Sequence, residues 1–414
     1  MRPALLLVIT AWLAAPAMAQ EWTRFRGPNG TGVSHATTVP ATWRDDDYNW
    51  KIDLPGIGHS SPVVWKDRIY VLSADPETLT RFVLCVAAAD GKTLWKQEYQ
   101  AVKQHLHDLN SYASCTPAVD ADHVYVAWSD PEHTLLKALD HDGKEKWSVD
   151  LGAWVSQHGF GTSPMVVDDV VIITKSLENS KQPGADKPGE SYVLAVDRLT
   201  GKERWRTPRV TDTTSYSVPC LRQLPGGGHE IVSCSTAEGV FALDPKTGKQ
   251  KWNLPVFTMR TVSSPVLIGD LVIGSAGSGG GGNHLVAVQA GEQPQEVFRV
   301  KTQAPYVPTA VAHGDLLFLW FEGGIVTCVD GKTGARHWQQ RIGGKFHASP
   351  VVVGDKLYGV SESGEVVVLA AGKEFKEYGR MQLGDDSRST PAISGGRMYL
   401  RTFSKLFSIG GKSA

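Results

Sequence analysis

The chain has 414 residues, a formal net charge of −1, and 41% hydrophobic and 21% charged residues. So even a balance of charge gives no electrostatic basis for nucleic-acid binding, and the composition is neither disordered nor collagenous. The five cysteines, at 85, 115, 220, 234 and 328, are too scattered to form a disulfide framework.

The first stretch, "MRPALLLVITAWLAAPAMAQ", has one early positive charge, an apolar run and an Ala17-Met18-Ala19 site. This predicts a signal peptide over residues 1–19, cleaved near Ala19. Its apolar run is too short to span a bilayer, and no later segment reads as transmembrane. No cysteine follows the run to accept a lipid. The mature chain is therefore expected to be periplasmic or secreted, with residues 20–414 as one domain.

From Ser61 onward two half-motifs alternate. The first is a small residue and proline, an apolar run, a turn, and a second apolar run, as in "SPVVWKDRIYVLS" and "SPVVVGDKLYGVS". Eight prolines stand in register: Pro62, Pro117, Pro164, Pro219, Pro265, Pro308, Pro350 and Pro391. The second half-motif is a strand, a turn and a strand ending on an aromatic, clearest in "ALDPKTGKQKW", Ala242 to Trp252. The Asp side chain can bond the turn backbone, and Gly tolerates positive φ there. Lysine follows on the exposed edge, where charge discourages edge-to-edge pairing.

Four short strands per unit, repeated at about 40–55 residues, predict the blades of a β-propeller. The fold class is all-β, an eight-bladed propeller of four-stranded antiparallel blades. The blade-docking aromatics are Trp95, Trp147, Trp205, Trp252, Phe298, Trp338 and Tyr378. The eighth unit lacks its last strand, and "YNWKIDLPG" near the N-terminus resembles it, with Trp50 as its aromatic. Residues 48–54 are therefore expected to pair with 405–409 and close the ring.

Within this frame Cys220 and Cys234 flank the turn "LPGGGH". Two readings stay open, a disulfide across a hairpin or two buried thiols. The insertion "LENSKQPGADKPGES", Leu177 to Ser191, and the run "GSAGSGGGGNH", Gly274 to His284, each read as loops between middle strands of a blade. Neither carries a phosphate-loop signature.

The residues just before each inner strand should face one end of the central channel. They are His59, Tyr112, His158, Tyr216, Arg260, Tyr306, His347 and Arg388. This pattern suits a funnel for an anionic or planar ligand or a peptide, and equally suits loops packing on one another. Arg260 and Arg388 carry the stronger binding expectation, and the histidines read as hydrogen-bonded packing residues. In "KQHLHDLNSYASCTP", His105, His107 and Asp108 are weak metal-ligand candidates with no second cluster to complete a site.

The D-x-x-T-G-x-x-x-W turns and the eight-unit count resemble the PQQ-type repeat family of quinoprotein alcohol dehydrogenases and BamB-like outer-membrane assembly factors. "WTRFRGPNGTGVS", Trp22 to Ser34, is similar to the opening of secreted bacterial propellers of this type. In the dehydrogenases, the resemblance implies PQQ over a calcium ion, an aspartate base and a disulfide between adjacent cysteines. This chain has no adjacent cysteines, and the approaches to its inner strands hold only Asp108, Asp212, Asp385 and Asp386 as carboxylates. The expected function is thus a non-catalytic binding or scaffold propeller of the bacterial envelope, monomeric and without a cofactor. It would take a protein partner or small ligand at the channel mouth. The alternatives are a PQQ-dependent oxidoreductase with calcium and a carbohydrate-binding propeller.

Overall fold

A computed structural model describes residues 21–178 and 190–411. The expected signal peptide and most of the Leu177–Ser191 insertion lie outside the described residues. The strands form eight sheets in a ring, one per repeat. In blade 4, the inner strand Cys220–Gln223 pairs with His229–Ser235, then Gly239–Leu243, then the outer Gln250–Leu254, all antiparallel. Second and third strands are buried almost throughout, while outer strands such as Thr93–Gln100 alternate in exposure. That alternation is the period-2 pattern of a sheet with one solvated face.

Ring closure follows the sequence expectation. Trp50–Asp53 pairs antiparallel with Lys405–Gly410, with Trp50 opposite Ser408 and Asp53 opposite Lys405. A further strand was not foreseen: Val33–Ser34 adds to blade 7, parallel to its inner strand Val351–Val353. One hydrophobic cluster joins Trp22, Val39, Trp43 and Trp50 to buried residues of blades 7, 8 and 1. The seam of the ring is therefore packed as well as hydrogen-bonded.

"ALDPKTGKQKW" couples neighbouring blades. Asp244 Oδ1 accepts the Lys246 and Thr247 N–H groups at 3.0 and 2.9 Å. Gly248 has φ of 69°, and a Cβ there would lie 2.4 Å from the Trp205 ring of the preceding blade. The Trp205 indole donates to Pro245 O in that same turn at 2.9 Å. Trp50, Trp95 and Trp147 dock likewise against Gly91, Gly143 and Gly201 of the following blade, with indole donors on Ala88, His141 and Arg198 carbonyls. Burying a side chain of this size stabilises each junction by about 1.5–3 kcal/mol. A bulge one residue before the aromatic recurs in every blade that carries the turn, between Trp252 and Gln250 for instance. Such a bulge re-aims the side chain that follows it.

Three junctions depart from this scheme. Phe298 packs on Gly334 but has no donor. The turn of blade 5 is degenerate, and the Trp252 indole instead donates to Glu230 of its own blade, a buried carboxylate held by Arg222 at 2.7 Å. In blade 7 the register sets Gly379, not Tyr378, opposite Val368, where other blades place the aromatic. A Cβ at Gly379 would lie 2.5 Å from Thr42, and the Tyr358 hydroxyl donates to Pro40 O at 3.1 Å. The N-terminal segment thus fills the position that Tyr378 was expected to take.

Candidate functional site at the channel mouth

Residues 22–34 cross one end of the central channel. Trp22 exchanges backbone hydrogen bonds with Val64 of blade 1, and Thr23 O accepts from Val119 of blade 2. The Asn29 amide pairs both ways with the Leu221 backbone of blade 4. Arg24 Nη2 donates to Pro219 O at 2.6 Å. Arg26 is fully buried and donates to the carbonyls of Gly30, Thr31, Thr309, Ala310 and Pro350. The turn that lets it do so needs Gly27, at φ of 69°, because a Cβ would strike the Trp22 ring. Burial alone pushes the Arg26 pKa down to about 9, still high enough to keep the cation at neutral pH. Phe25 faces the channel as its floor.

Above the floor runs a belt of hydroxyls. Seven of the eight inner strands are led in by a Ser or Thr whose oxygen accepts a backbone N–H of the preceding blade. The bonds run from Ser61 N to Thr116, Thr116 N to Ser163, Val218 N to Ser264, and Ser264 N to Thr309. They continue from Thr309 N to Ser349, Ser349 N to Thr390, and Thr390 N back to Ser61, all at 3.0–3.1 Å. The belt is open only between blades 3 and 4, where Val218 has no hydroxyl to offer Ser163 N. The sequence signal was the small residue beside each proline, which marked the strands but not this second role.

The cavity over the belt measures about 660 Å³. His59, His158, Tyr216, Arg260, Tyr306, His347 and Arg388 all line it, as does His107. Tyr112 does not. Its hydroxyl bonds Gln104 N and O at 3.1 and 3.3 Å, and the Arg81 guanidinium lies 5.5 Å from its ring centre. Tyr112 therefore pins the loop that leads into blade 2 instead of facing the channel. Residues Gly277–Gly279 of the glycine-rich run reach the mouth, where Gly277 N donates to Arg260 O at 3.0 Å.

Two ion-paired clusters stand on different walls. On blades 3 and 5, Arg260 pairs with Glu178 and donates to the His158 ring, 3.0 Å from Nε2. The His158 ring packs on His107 at 4.6 Å between centres. On blades 7 and 8, Arg388 donates to Glu362 at 2.5 Å and to Asp108 O at 3.3 Å, with His347 3.8 Å from Glu362. Arg388 also lies over Phe403, against which the His59 ring packs at 5.0 Å. Burial, then Arg388, Arg401 and His347, push the His59 pKa down to about 3. Burial and the Arg260 charge push His158 down to about 4. Both imidazoles are neutral at pH 7 and serve as packing and hydrogen-bonding groups.

Carboxylates stand behind this wall. None of Asp108, Asp212, Asp385 and Asp386 lines the cavity. Asp385 instead accepts the Ser404 N–H and hydroxyl at 2.9 and 2.8 Å. Glu322 takes the N–H groups of Tyr306 and Val307. No group of three or more His, Cys, Asp or Glu able to hold a metal occurs among the described residues, so His105, His107 and Asp108 are not gathered with further ligands. All five cysteines are free and buried. Cys220 sits opposite Val232, which puts Cys234 two residues out of register with it and removes the hairpin disulfide.

An eight-bladed propeller whose channel is closed at one end and opens through an arginine, histidine and tyrosine funnel is the class that fold and site define. Residues 80–340 and 322–409 match the family model for outer membrane protein assembly factor BamB, and the chain belongs to that family. It is 29% identical over 196 residues to quinohemoprotein alcohol dehydrogenase ADH-IIG of Pseudomonas putida, covering 45% of this chain and 23% of that protein. A second Pseudomonas putida enzyme, ADH IIB, is 30% identical over 149 residues, 34% of this chain and 18% of that protein. The chain thus matches about a quarter or less of the length of these curated relatives.

Among solved structures, BamB from Moraxella catarrhalis superposes with a TM-score of 0.60 at 14% identity, covering 86% of this chain and 97% of that one. A europium-containing methanol dehydrogenase gives 0.70 at 13% identity, covering 94% and 98%. At such identities these likenesses describe the fold alone. No helix among the described residues is long and apolar enough to cross a membrane.

Proposed function

We propose that this protein is a non-catalytic binding propeller of the bacterial envelope, which holds a ligand or a segment of a protein partner in the funnel over Phe25. The observation that carries this reading is the floored cavity of about 660 Å³, within the size range of a small-molecule site. Its position at the end of the channel leaves one open face for a partner. The family's link to outer-membrane protein assembly supports an envelope role.

The donor set speaks against a calcium-bridged quinone. A hard divalent cation takes six to eight oxygen ligands, with carboxylates prominent among them. Here Glu178 and Glu362 are committed to Arg260 and Arg388, and Glu322 to backbone N–H groups. The dehydrogenase relatives favour the second reading, an oxidoreductase using PQQ. Titration with PQQ and calcium separates the two. No spectral shift and no dye-linked alcohol oxidation are expected, and a stoichiometric shift with turnover would overturn the binding reading. Cross-linking of the native envelope fraction, read by mass spectrometry, should place partner peptides on the mouth loops; cross-links confined to the outer strands would move the site away from the channel.

A further inference from the structure

The whole chain is almost neutral, yet the described lining of the cavity carries no carboxylate. Among the described lining residues the only formal charges are Arg260 and Arg388. Behind the wall lie three more buried guanidiniums. Arg24 and Arg26 sit under the floor, and Arg401 donates to Ser60 O and Leu72 O at 2.8 and 2.6 Å. Among the described residues none of these three has a carboxylate in an ion pair; their partners are carbonyls, a hydroxyl and the Met165 sulfur. Carbonyl oxygens satisfy the N–H groups but leave the net charge standing, and a buried cation without a counter-charge is costly. Low-dielectric walls around a dead-end cavity concentrate that potential where a ligand would sit.

The two lining arginines also keep donors in reserve. A guanidinium has five N–H donors. Arg388 gives one Nη donor to Glu362 and one to a carbonyl, and Arg260 gives one to Glu178 and one to His158, so each keeps further Nη donors. Tyr216, Tyr306 and the stacked His158 offer flat surfaces between the two charged walls.

We propose that the funnel binds a small organic anion bearing at least two acidic groups, recognised by Arg260 and Arg388 without a metal ion. This deepens the binding reading above and rests on it. The anion adds negative charge over the floor, beneath which Arg24 and Arg26 have no carboxylate partner. The acidic groups accept from the guanidinium forks on opposite sides, and the body of the ligand lies against the tyrosine and histidine faces.

The test uses two probes of the same shape, benzene-1,3-dicarboxylate and the neutral benzene-1,3-dimethanol, titrated calorimetrically into the full chain with EDTA present. The dicarboxylate should bind at least tenfold tighter than the diol, and its affinity should fall as salt rises. Arg388→Gln and Arg260→Gln should each weaken the dicarboxylate at least tenfold. Arg388→Lys, which keeps the charge, should recover part of the loss, and thermal melts show which variants are folded. Equal affinity for the two probes, no binding of either, or indifference of the dicarboxylate to Arg388→Gln would each overturn the proposal. If envelope partners still cross-link at the mouth in that event, the binding reading survives without the anion. Turnover with PQQ and calcium would end the binding reading itself.

Discussion

At the closed end of the channel, Arg26 gives its N–H groups to five backbone carbonyls from the N-terminal segment and blades 6 and 7. At the open end, Arg260 and Arg388 face glutamates and hold unpartnered nitrogens. The residue type is the same and the surroundings differ. Where every donor meets a fixed carbonyl, the guanidinium is a keystone that ties distant strands together. Where the partner is a side chain and not a fixed carbonyl, the guanidinium can exchange that partner for a ligand. The belt of hydroxyls between the two ends belongs with the first kind, since its bonds join backbone to side chain around the ring.

This contrast is broken most severely at Arg26. Arg26→Met removes the charge but leaves five carbonyls facing a thioether. Buried acceptors left unsatisfied cost about 1–3 kcal/mol each, and partial rehydration recovers some of it. A loss of at least about 3 kcal/mol is expected in urea unfolding, well above the effect of either mouth arginine variant. A smaller loss at Arg26 than at Arg388 would mean that the closed end is not what holds the ring.

Acid should act on the open end. His59 and His158 have folded pKa values lowered to about 3 and about 4, against about 6.5 in the unfolded chain. The unfolded state therefore binds more protons below about pH 6.5. The stability these groups contribute is complete above that pH and is lost as pH falls toward their folded values. His59 faces Arg388, Arg401 and His347, and His158 faces Arg260 and His107, so each proton would enter a positive neighbourhood. The urea midpoint should drop between pH 6.5 and 5, before most carboxylates titrate, and His59→Gln should flatten that slope. An unchanged slope would place the acid sensitivity elsewhere.

How much of this was legible beforehand follows from the range of each interaction. The eight blades, the closure through Trp50 and the cross-blade docking rest on repeated local chemistry, so copies of one motif reinforced each other. The N-terminal segment shows in sequence only a resemblance to the opening of related propellers. Its role as a floor depends on contacts such as Arg26 with Thr309 and Pro350, which no repeat announces. Of the seven mouth residues that face one cavity, His59, Tyr216, His347 and Arg388 share an offset of three before proline, while His158, Arg260 and Tyr306 reach it from other offsets because their loops converge on the channel. Tyr112 stands five residues before its proline, as Arg260 does, and only the path of its own loop turns it away. The partners Glu178, Glu322 and Glu362 lie on other loops, invisible to an argument built on the residues before each proline. Tyr378 falls one residue short of the docking position, because the turn of blade 7 is one residue longer than that of blade 4: Leu369 pairs with Glu377 where Leu243 pairs with Gln250.

The smallest effect tests the belt where it is open. Val218 is buried and its blade lacks the hydroxyl that every other inner strand supplies. Val218→Thr keeps the shape and places an oxygen where Ser163 N has no belt partner. A net hydrogen bond contributes about 0.5–1.5 kcal/mol, set against the cost of exchanging a buried methyl for a hydroxyl. The sum should lie within about 1 kcal/mol of zero, with slower amide exchange at Ser163 as the direct sign that the eighth bond has formed. The control is Ser349→Ala, which strips the Thr309 N–H of its acceptor in a closed part of the belt and should cost about 1–3 kcal/mol. If the two substitutions destabilise equally, the hydroxyls pack the channel wall without bonding it. If only Ser349→Ala does, the gap at Val218 is a place where blades 3 and 4 can part more easily than any other pair, on the side of the funnel where His158 and Arg260 stand.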